Sequence, residues 1–292
     1  MAGMLIDGKR IAGEIQEELA REVGVLKEKG VTPGLAVILV GEDPASQMYV
    51  QMKGRTCRKL GMHSETIILP ESTPEGELLE RIEALNGDPA IHGILVQLPL
   101  PSHIREERVI DAIHPSKDVD AFHPYNVGRM FVGSPIFLPA TPAGIQQLLL
   151  RSGVETAGKR VVVVGRSNIV GKPIAAMLMQ KGPGGDATVT LAHSRTRDLA
   201  HVTREAEILI VAVGKANFIT RDMVRSGAVV IDAGTNKVAD PSTEKGYRWV
   251  GDVDFQGVQD LCAAITPVPG GVGPMTIAML MANTLRAAEL SR

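Results

Sequence analysis

Arg160-Val-Val-Val-Val-Gly-Arg-Ser-Asn-Ile-Val-Gly-Lys-Pro173, continued by Ile174-Ala-Ala-Met-Leu-Met179, is the stretch from which the rest of the chain can be read. Four consecutive valines are β-branched and apolar on both faces, as a parallel strand buried between helical layers requires. Gly165 ends the run, and Gly171 opens a helix that tolerates Pro173 in its first turn, where no backbone N–H is needed. Strand, glycine turn and helix N-terminus together aim backbone amides and the positive end of a helix dipole at one spot, which suits a phosphate or pyrophosphate. The middle glycine of G-x-G-x-x-G is replaced by Ser167, so the turn alone also fits a purely structural strand–helix corner.

Three further strands follow the first: Ala187–Ala192, Glu207–Val213 and Ala228–Asp232, the latter two closing at Gly214 and Gly234. The tip of the second reads His193-Ser-Arg-Thr196, at the place where an NAD-binding unit would offer an acid to the ribose hydroxyls. A serine and Arg195 stand there instead, with Arg166 on the glycine turn, and guanidinium groups favour a ribose phosphate. NADP is therefore expected over NAD; the rival reading leaves both arginines in water. Gly251-Asp-Val-Asp254 gives a short turn, and Ile265-Thr-Pro-Val-Pro-Gly-Gly-Val-Gly-Pro-Met-Thr276 has glycines that admit a flat ligand and a Pro274 that can start the last helix. Methionines 275, 279 and 281 read as core filler.

The first third alternates in the same way. A helix over Ile11–Lys29 is followed by a strand Leu35–Val40. A helix capped by Asp43-Pro44 runs to Leu60, then come strand Glu65–Leu69, helix Thr73–Leu85 and strand Ile91–Val96. Tyr49 and Lys53 share one helix face, with Cβ atoms roughly 5–6 Å apart. That spacing fits a solvated lysine beside a half-buried tyrosine as well as a working pair. Gln97 closes a buried strand at the carboxyl edge of the sheet, where ligands of open parallel sheets gather. Its amide needs partners, either loop backbone or a catalytic side chain. Asp118 and Asp120 alternate, so in extended chain they face one side; capping, loop bracing and contact with a polar ligand all remain open, while no metal site is expected for want of further oxygen ligands. Thr141-Pro142 repeats the cap-plus-proline pattern and opens a helix through Leu150.

Composition narrows the class. A formal net charge of -2 gives no basic excess for nucleic acid, and 3% aromatic residues offer few base-stacking platforms. No apolar run reaches membrane-spanning length, the first ten residues predict no leader, and Cys57 and Cys262 read as two reduced thiols of a cytoplasmic protein.

Taken together, these residues resemble the bifunctional methylenetetrahydrofolate dehydrogenase/cyclohydrolases of the FolD type. The matching segments are Tyr49-x-x-x-Lys53, Gly93-Ile-Leu-Val-Gln-Leu-Pro-Leu100, Lys117-Asp-Val-Asp120, Gly165–Pro173, His193–Thr196 and Ile265–Thr276, in family order. Ala121 stands where the family usually has glycine, and Ala140 where a cysteine often precedes Thr141-Pro142. The resemblance implies two three-layer α/β domains with mainly parallel sheets and an active-site cleft between them. Residues 1–139 would form a catalytic folate-binding domain, with the helix over 274–292 packing back on it, and 140–273 a Rossmann-like NADP domain. It implies NADP-dependent oxidation of methylenetetrahydrofolate to the methenyl cation, then hydrolysis to formyltetrahydrofolate, in a cytoplasmic homodimer without nucleic-acid or membrane partners. An NADP-dependent dehydrogenase of another small substrate is the alternative. By the same resemblance Lys53 is the key catalytic group, tuned by Gln97, with Tyr49 packing on the folate and Asp120 holding the pterin. Leu98, Pro99, Pro269, Gly270 and Gly271 would border the substrate. NADP would fall to Gly165, Arg166, Ser167, Ile169, Val170 and Gly171, to His193, Ser194, Arg195 and Thr196, and to Val213, Gly214, Asp232, Gly234 and Thr276.

Overall fold

In the computed structural model residues 3–244 and 246–291 are described. Its strands, in chain order, are β1 (Met4–Leu5), β2 (Gly34–Val40), β3 (His63–Leu69), β4 (Gly93–Val96), β5 (Arg160–Val164), β6 (Thr188–Ala192), β7 (Ile208–Val211), β8 (Val229–Asp232), β9 (Asn236–Ala239), β10 (Tyr247–Val250) and β11 (Ala264–Ile265). The chain divides into two compact units: Met1–Gly13 with Thr141–Thr276, and Glu14–Ala140 with Ile277–Arg292.

The first unit holds a six-stranded sheet in the order β1-β11-β8-β7-β5-β6, parallel throughout. The four-valine strand β5 lies one strand in from the β6 edge, and Val161, Val162, Val163 and Val164 are all buried. Each such side chain withdrawn from water contributes about 1.5–3 kcal/mol. From β5 the chain moves outward to β6, then returns to place β7 on the other side of β5. The order therefore reverses between β5 and β7, and that reversal opens a crevice at the carboxyl ends of the two strands. The opening residues join this unit, not the one that the 1–139 boundary implied. Met4 and Leu5 pair with Ala264 and Ile265, and the Lys9 amide donates to the Gly270 carbonyl at 2.9 Å. Sequence periodicity has no means of detecting a two-residue strand whose partner lies at the far end of the chain. The unit also carries an antiparallel hairpin of β9 and β10.

The second unit is built on a three-stranded parallel sheet, β3-β2-β4, in which every residue of β2 and β4 is buried. Here too the order reverses beside the central strand, between β2 and β4. Two helices absent from the sequence reading, Glu106–Ala112 and Pro124–Phe131, flank the segment that carries the paired aspartates. The helix Val272–Leu290 starts two residues before Pro274, and Thr141 sits inside the helix Ala140–Arg151 instead of capping it, with its hydroxyl paired to that of Thr276 at 2.9 Å. No helix among the described residues is long and apolar enough to cross a membrane.

Asn283 ties the last helix to the aspartate segment. It is 8% exposed and its Nδ2 donates to the carbonyls of Val119 and Leu138, both at 2.8 Å. Asn283→Ala leaves two carbonyls unpaired, at a cost of about 1–3 kcal/mol. Thermal unfolding should show a midpoint several degrees lower, at roughly 2–4 °C per kcal/mol.

Candidate active site

The helix Pro44–Lys59 delivers the first cluster. Asp43 accepts from the Ser46 amide at 2.7 Å and Pro44 occupies the first turn, so the helix start is fixed locally. Val50, Lys53, Gly54 and Cys57 are its buried stripe, spaced for one face. A lysine thus occupies a core position: Lys53 is only 8% exposed. Its Nζ donates to Gln97 Oε1 at 2.9 Å, while Gln97 Nε2 donates to the Leu98 carbonyl at 2.7 Å and its backbone amide to Ile38 at 2.8 Å. The amide is thereby oriented with its oxygen toward the amine, at the carboxyl ends of β2 and β4. Tyr49, one turn before Lys53, is half-buried.

The two aspartates divide the work. Asp118 is buried at 2% exposure and receives the Phe122 amide at 3.2 Å, the His123 amide at 2.9 Å and Asn126 Nδ2 at 2.8 Å. It braces the turn. Burial pushes its carboxyl up from the usual range, opposed by those three hydrogen bonds. Asp120 is half-buried, and among the described residues no protein donor reaches its carboxyl. Burial raises it to about 6, the Lys53 charge opposing the rise and Asp118 adding to it. Burial likewise lowers the Lys53 amine, with Asp120 acting in the other direction. Both shifts have one cause: a charge held away from water is costly, so each group moves toward its neutral form.

Ala121, the departure from the family glycine, has φ 58 and is fully buried. The left-handed region costs an alanine about 1 kcal/mol. Its buried methyl returns about 0.8 kcal/mol, which offsets part of that cost. Ala140, the other departure, is a buried residue at the start of its helix.

The second cluster surrounds the reversal between β5 and β7. Val164 is in register with both Ala192 and Val211, so the turns after these three strands leave adjacent strand ends. Gly165 has φ 121, and a Cβ there would overlap the Ala212 carbonyl; one on Gly171 would overlap the Gly165 carbonyl. Backbone approaches this closely only through glycine. Arg166, Ser167 and Ile169 are exposed, Val170 half-buried. One expectation changes: the amides of Val170 and Gly171 do not stand free but donate to Ser167 Oγ at 3.1 and 3.3 Å. The serine replacing the middle glycine spends both amides within the turn. The next turn is pinned by His193 N to Thr196 Oγ1 at 2.9 Å and Arg195 N to His193 Nδ1 at 3.1 Å, which leaves Ser194 and Arg195 exposed.

Other candidates serve the scaffold. The Asp232 carboxyl is buried and taken up by the amides of Gly234, Asp252 and Val253, all at 2.9 Å, so its side chain is turned into the protein. Val213 and Gly214 carry amides already claimed by Asp252, a residue that the sequence reading passed over as part of a short turn. Thr276 bonds Thr141, and Gly270 has φ 108 beside the exposed Pro269. Leu98 is half-buried and Pro99 exposed at the end of β4, and Gly271 is buried next to Gly270. No group of three or more histidines, cysteines, aspartates or glutamates able to hold a metal occurs among the described residues.

Family comparisons match nearly the whole chain. The catalytic domain of tetrahydrofolate dehydrogenase/cyclohydrolase matches residues 6–120, and the NAD(P)-binding domain of the same family matches residues 139–292. The bifunctional protein FolD of Syntrophus aciditrophicus is 60% identical over 291 residues, covering 100% of this chain and 99% of the relative. Among solved structures, the bifunctional FolD methylenetetrahydrofolate dehydrogenase/cyclohydrolase of Campylobacter jejuni superposes with a TM-score of 0.92 at 47% identity, over 99% of both chains. The FolD enzyme of Trypanosoma brucei, solved with NADP cofactor and inhibitor, gives 0.95 at 41% identity, over 100% of this chain and 99% of that one.

The Lys53–Gln97 contact makes a prediction independent of any substrate. Gln97→Glu puts a carboxylate beside the amine and should raise the Lys53 pKa by about 1–3 units. NMR titration of the reductively methylated lysine would measure it; an unmoved resonance would mean the side chains do not touch in solution.

Proposed function

The chain belongs to the tetrahydrofolate dehydrogenase/cyclohydrolase family, and on that premise we propose that Lys53, Gln97, Tyr49 and Asp120 carry its one-carbon chemistry. The protein is a bifunctional NADP-dependent methylenetetrahydrofolate dehydrogenase and methenyltetrahydrofolate cyclohydrolase. The observation that carries the residue assignment is a single one: an amine 8% exposed, hydrogen-bonded to an uncharged amide oxygen.

The nucleotide unit fits the cofactor chemically. Its crevice is walled by glycines, and exposed Arg166, Ser194 and Arg195 supply the cationic and hydroxyl groups that a ribose phosphate needs. NADP, when bound, supplies the hydride acceptor of the oxidative half. Arg166 and Arg195 would hold the phosphate, and the glycine turn would let the backbone come close. Removing hydride from the methylene bridge needs no acid, only donor and acceptor in near-attack geometry.

Hydration of the methenyl cation does need proton movement. Water adds to the cationic carbon, one C–N bond of the bridge breaks, and a proton is released with the formyl product. Lys53, whose amine burial shifts toward its neutral form, takes the proton from the attacking water. The cationic substrate pushes the amine further toward its neutral form. Gln97 orients the amine without restoring its charge; a carboxylate in the same place would hold it as ammonium. Asp120, whose carboxyl no protein donor reaches among the described residues, accepts from the N–H groups of the pterin, and Tyr49 packs on the folate. Two buried free thiols, Cys57 and Cys262, support a reducing, cytoplasmic setting.

Lys53→Met should abolish cyclohydrolase turnover, by at least about 100-fold for loss of a general base, while NADP binding persists. Hydrolysis at the original rate would remove Lys53 from the mechanism. Arg166→Ala should weaken NADP far more than NAD in parallel titrations, and equal losses would show that the arginine does not read the phosphate.

A further inference from the structure

Asp252 is fully buried and none of the chemistry above uses it. Its carboxylate gathers three consecutive backbone amides, Val213 and Gly214 on Oδ2 at 2.6 and 2.9 Å and Lys215 on Oδ1 at 2.9 Å. Asn236 Nδ2 adds a fourth donor to Oδ1 at 2.8 Å. Consecutive amides converging on an anion form the kind of concavity that elsewhere binds phosphate. Here the protein fills it with its own side chain.

The position matters. Residues 213–215 leave the end of β7, directly across the strand-order reversal from the Gly165 turn, and so form the second wall of that crevice. Asp252 is itself held: Asp232 Oδ1 accepts the Asp252 amide and Oδ2 the Val253 amide, both at 2.9 Å. The two carboxyls are fitted through glycines, since a Cβ on Gly251 would overlap the Asp232 carboxyl and one on Gly234 would overlap that of Asp252. Asp232 and Asp252 thus link the loops after β7 and β8 and the start of the β9–β10 hairpin into one hydrogen-bonded brace.

We propose that Asp252 is a positioning residue for NADP: by claiming the three amides it fixes the wall at residues 213–215 so that this loop meets the dinucleotide with carbonyl oxygens instead of N–H groups. Such a wall accepts hydrogen bonds from hydroxyl or carboxamide groups and does not hold phosphate, which is left to the arginine side. A carboxylate is required because it only accepts; asparagine would turn an NH2 group against at least one backbone N–H. This inference rests on the reading that the crevice is the NADP site.

The test compares Asp252→Asn, Asn236→Ala and Arg166→Ala in the full-length enzyme, each measured well below its own unfolding midpoint. NADP is titrated against the fluorescence of Trp249, the single tryptophan, which lies on β10 opposite Lys237. Asp252→Asn should raise the NADP dissociation constant about tenfold or more, a loss of about one strong hydrogen bond's discrimination, while the KM for methylenetetrahydrofolate stays within about twofold. Asn236→Ala, which removes one donor and repels nothing, should move it by about threefold in the same direction and decides the matter if Asp252→Asn does not fold. Unchanged NADP affinity in the folded variants, with Arg166→Ala still impaired, would make Asp252 a mere structural brace and overturn the proposal. Unchanged affinity in all three, Arg166→Ala included, would instead refute the placement of NADP in the crevice.

Discussion

The rest of the second unit depends on keeping an amine out of water without locking its charge. Lys53 sits on the buried stripe of a helix whose other members are Val50, Gly54 and Cys57. At such a position a lysine either finds a carboxylate and stays an ammonium, or loses its proton part of the time. The structure takes a middle course. The atom in direct contact is the neutral Gln97 oxygen, and the nearby carboxylate, Asp120, is itself raised to about 6 by burial. An ion pair at contact would have held the amine as ammonium and left it useless as a base. The sheet supplies the geometry: Gln97 is fixed to Ile38 through its own amide, so the oxygen reaching Lys53 is set by strand register.

The nucleotide unit solves a different problem with the same bond. Loops at a strand-order reversal expose many backbone amides, and unclaimed amides would bind any anion that reached them. Ser167 takes two at the helix start, and Asp252 takes three at the opposite wall. Selectivity for one dinucleotide then lies as much in which amides are spent internally as in which cations are displayed. On the proposed reading, Arg166 and Arg195 take the phosphate, and the loops whose amides are already spent set where along the cofactor it can lie.

How much of this could be read beforehand follows the range of the interactions. The valine strand, the glycine turn and the Asp43 cap are local patterns, complete within a dozen residues, and each lies where its pattern places it. Lys53 and Gln97 are 44 residues apart, and nothing in their spacing joins them; they were brought together on family resemblance, and the hydrogen bond gives the physical reason. Met4–Leu5 escaped notice because a two-residue strand carries no period and its partner is at Ala264–Ile265. Asp252 escaped because its amide partners lie 37 to 39 residues earlier. In the sequence it is one of two aspartates in Gly251-Asp-Val-Asp254, and only its sibling, Asp254, makes the local cap that such a turn suggests, accepting from the Gly257 amide.

That contrast recurs and explains itself. Asp118 and Asp120, like Asp252 and Asp254, are two residues apart, and in each pair the members take different partners. Asp252 gathers distant amides where Asp254 caps locally; Asp118 braces a turn, while among the described residues no protein donor reaches Asp120. In extended chain alternate residues share a face, but both segments turn, and the turn must be held by someone. Asp118 receives two amides and Asn126, and among the described residues no protein donor reaches its pair-mate, which is thereby left for the proposed ligand. A single aspartate could not do both, because an oxygen engaged by backbone amides has little left to offer a pterin. On the proposed reading, the bracing by Asp118 is therefore a condition of pterin binding by Asp120.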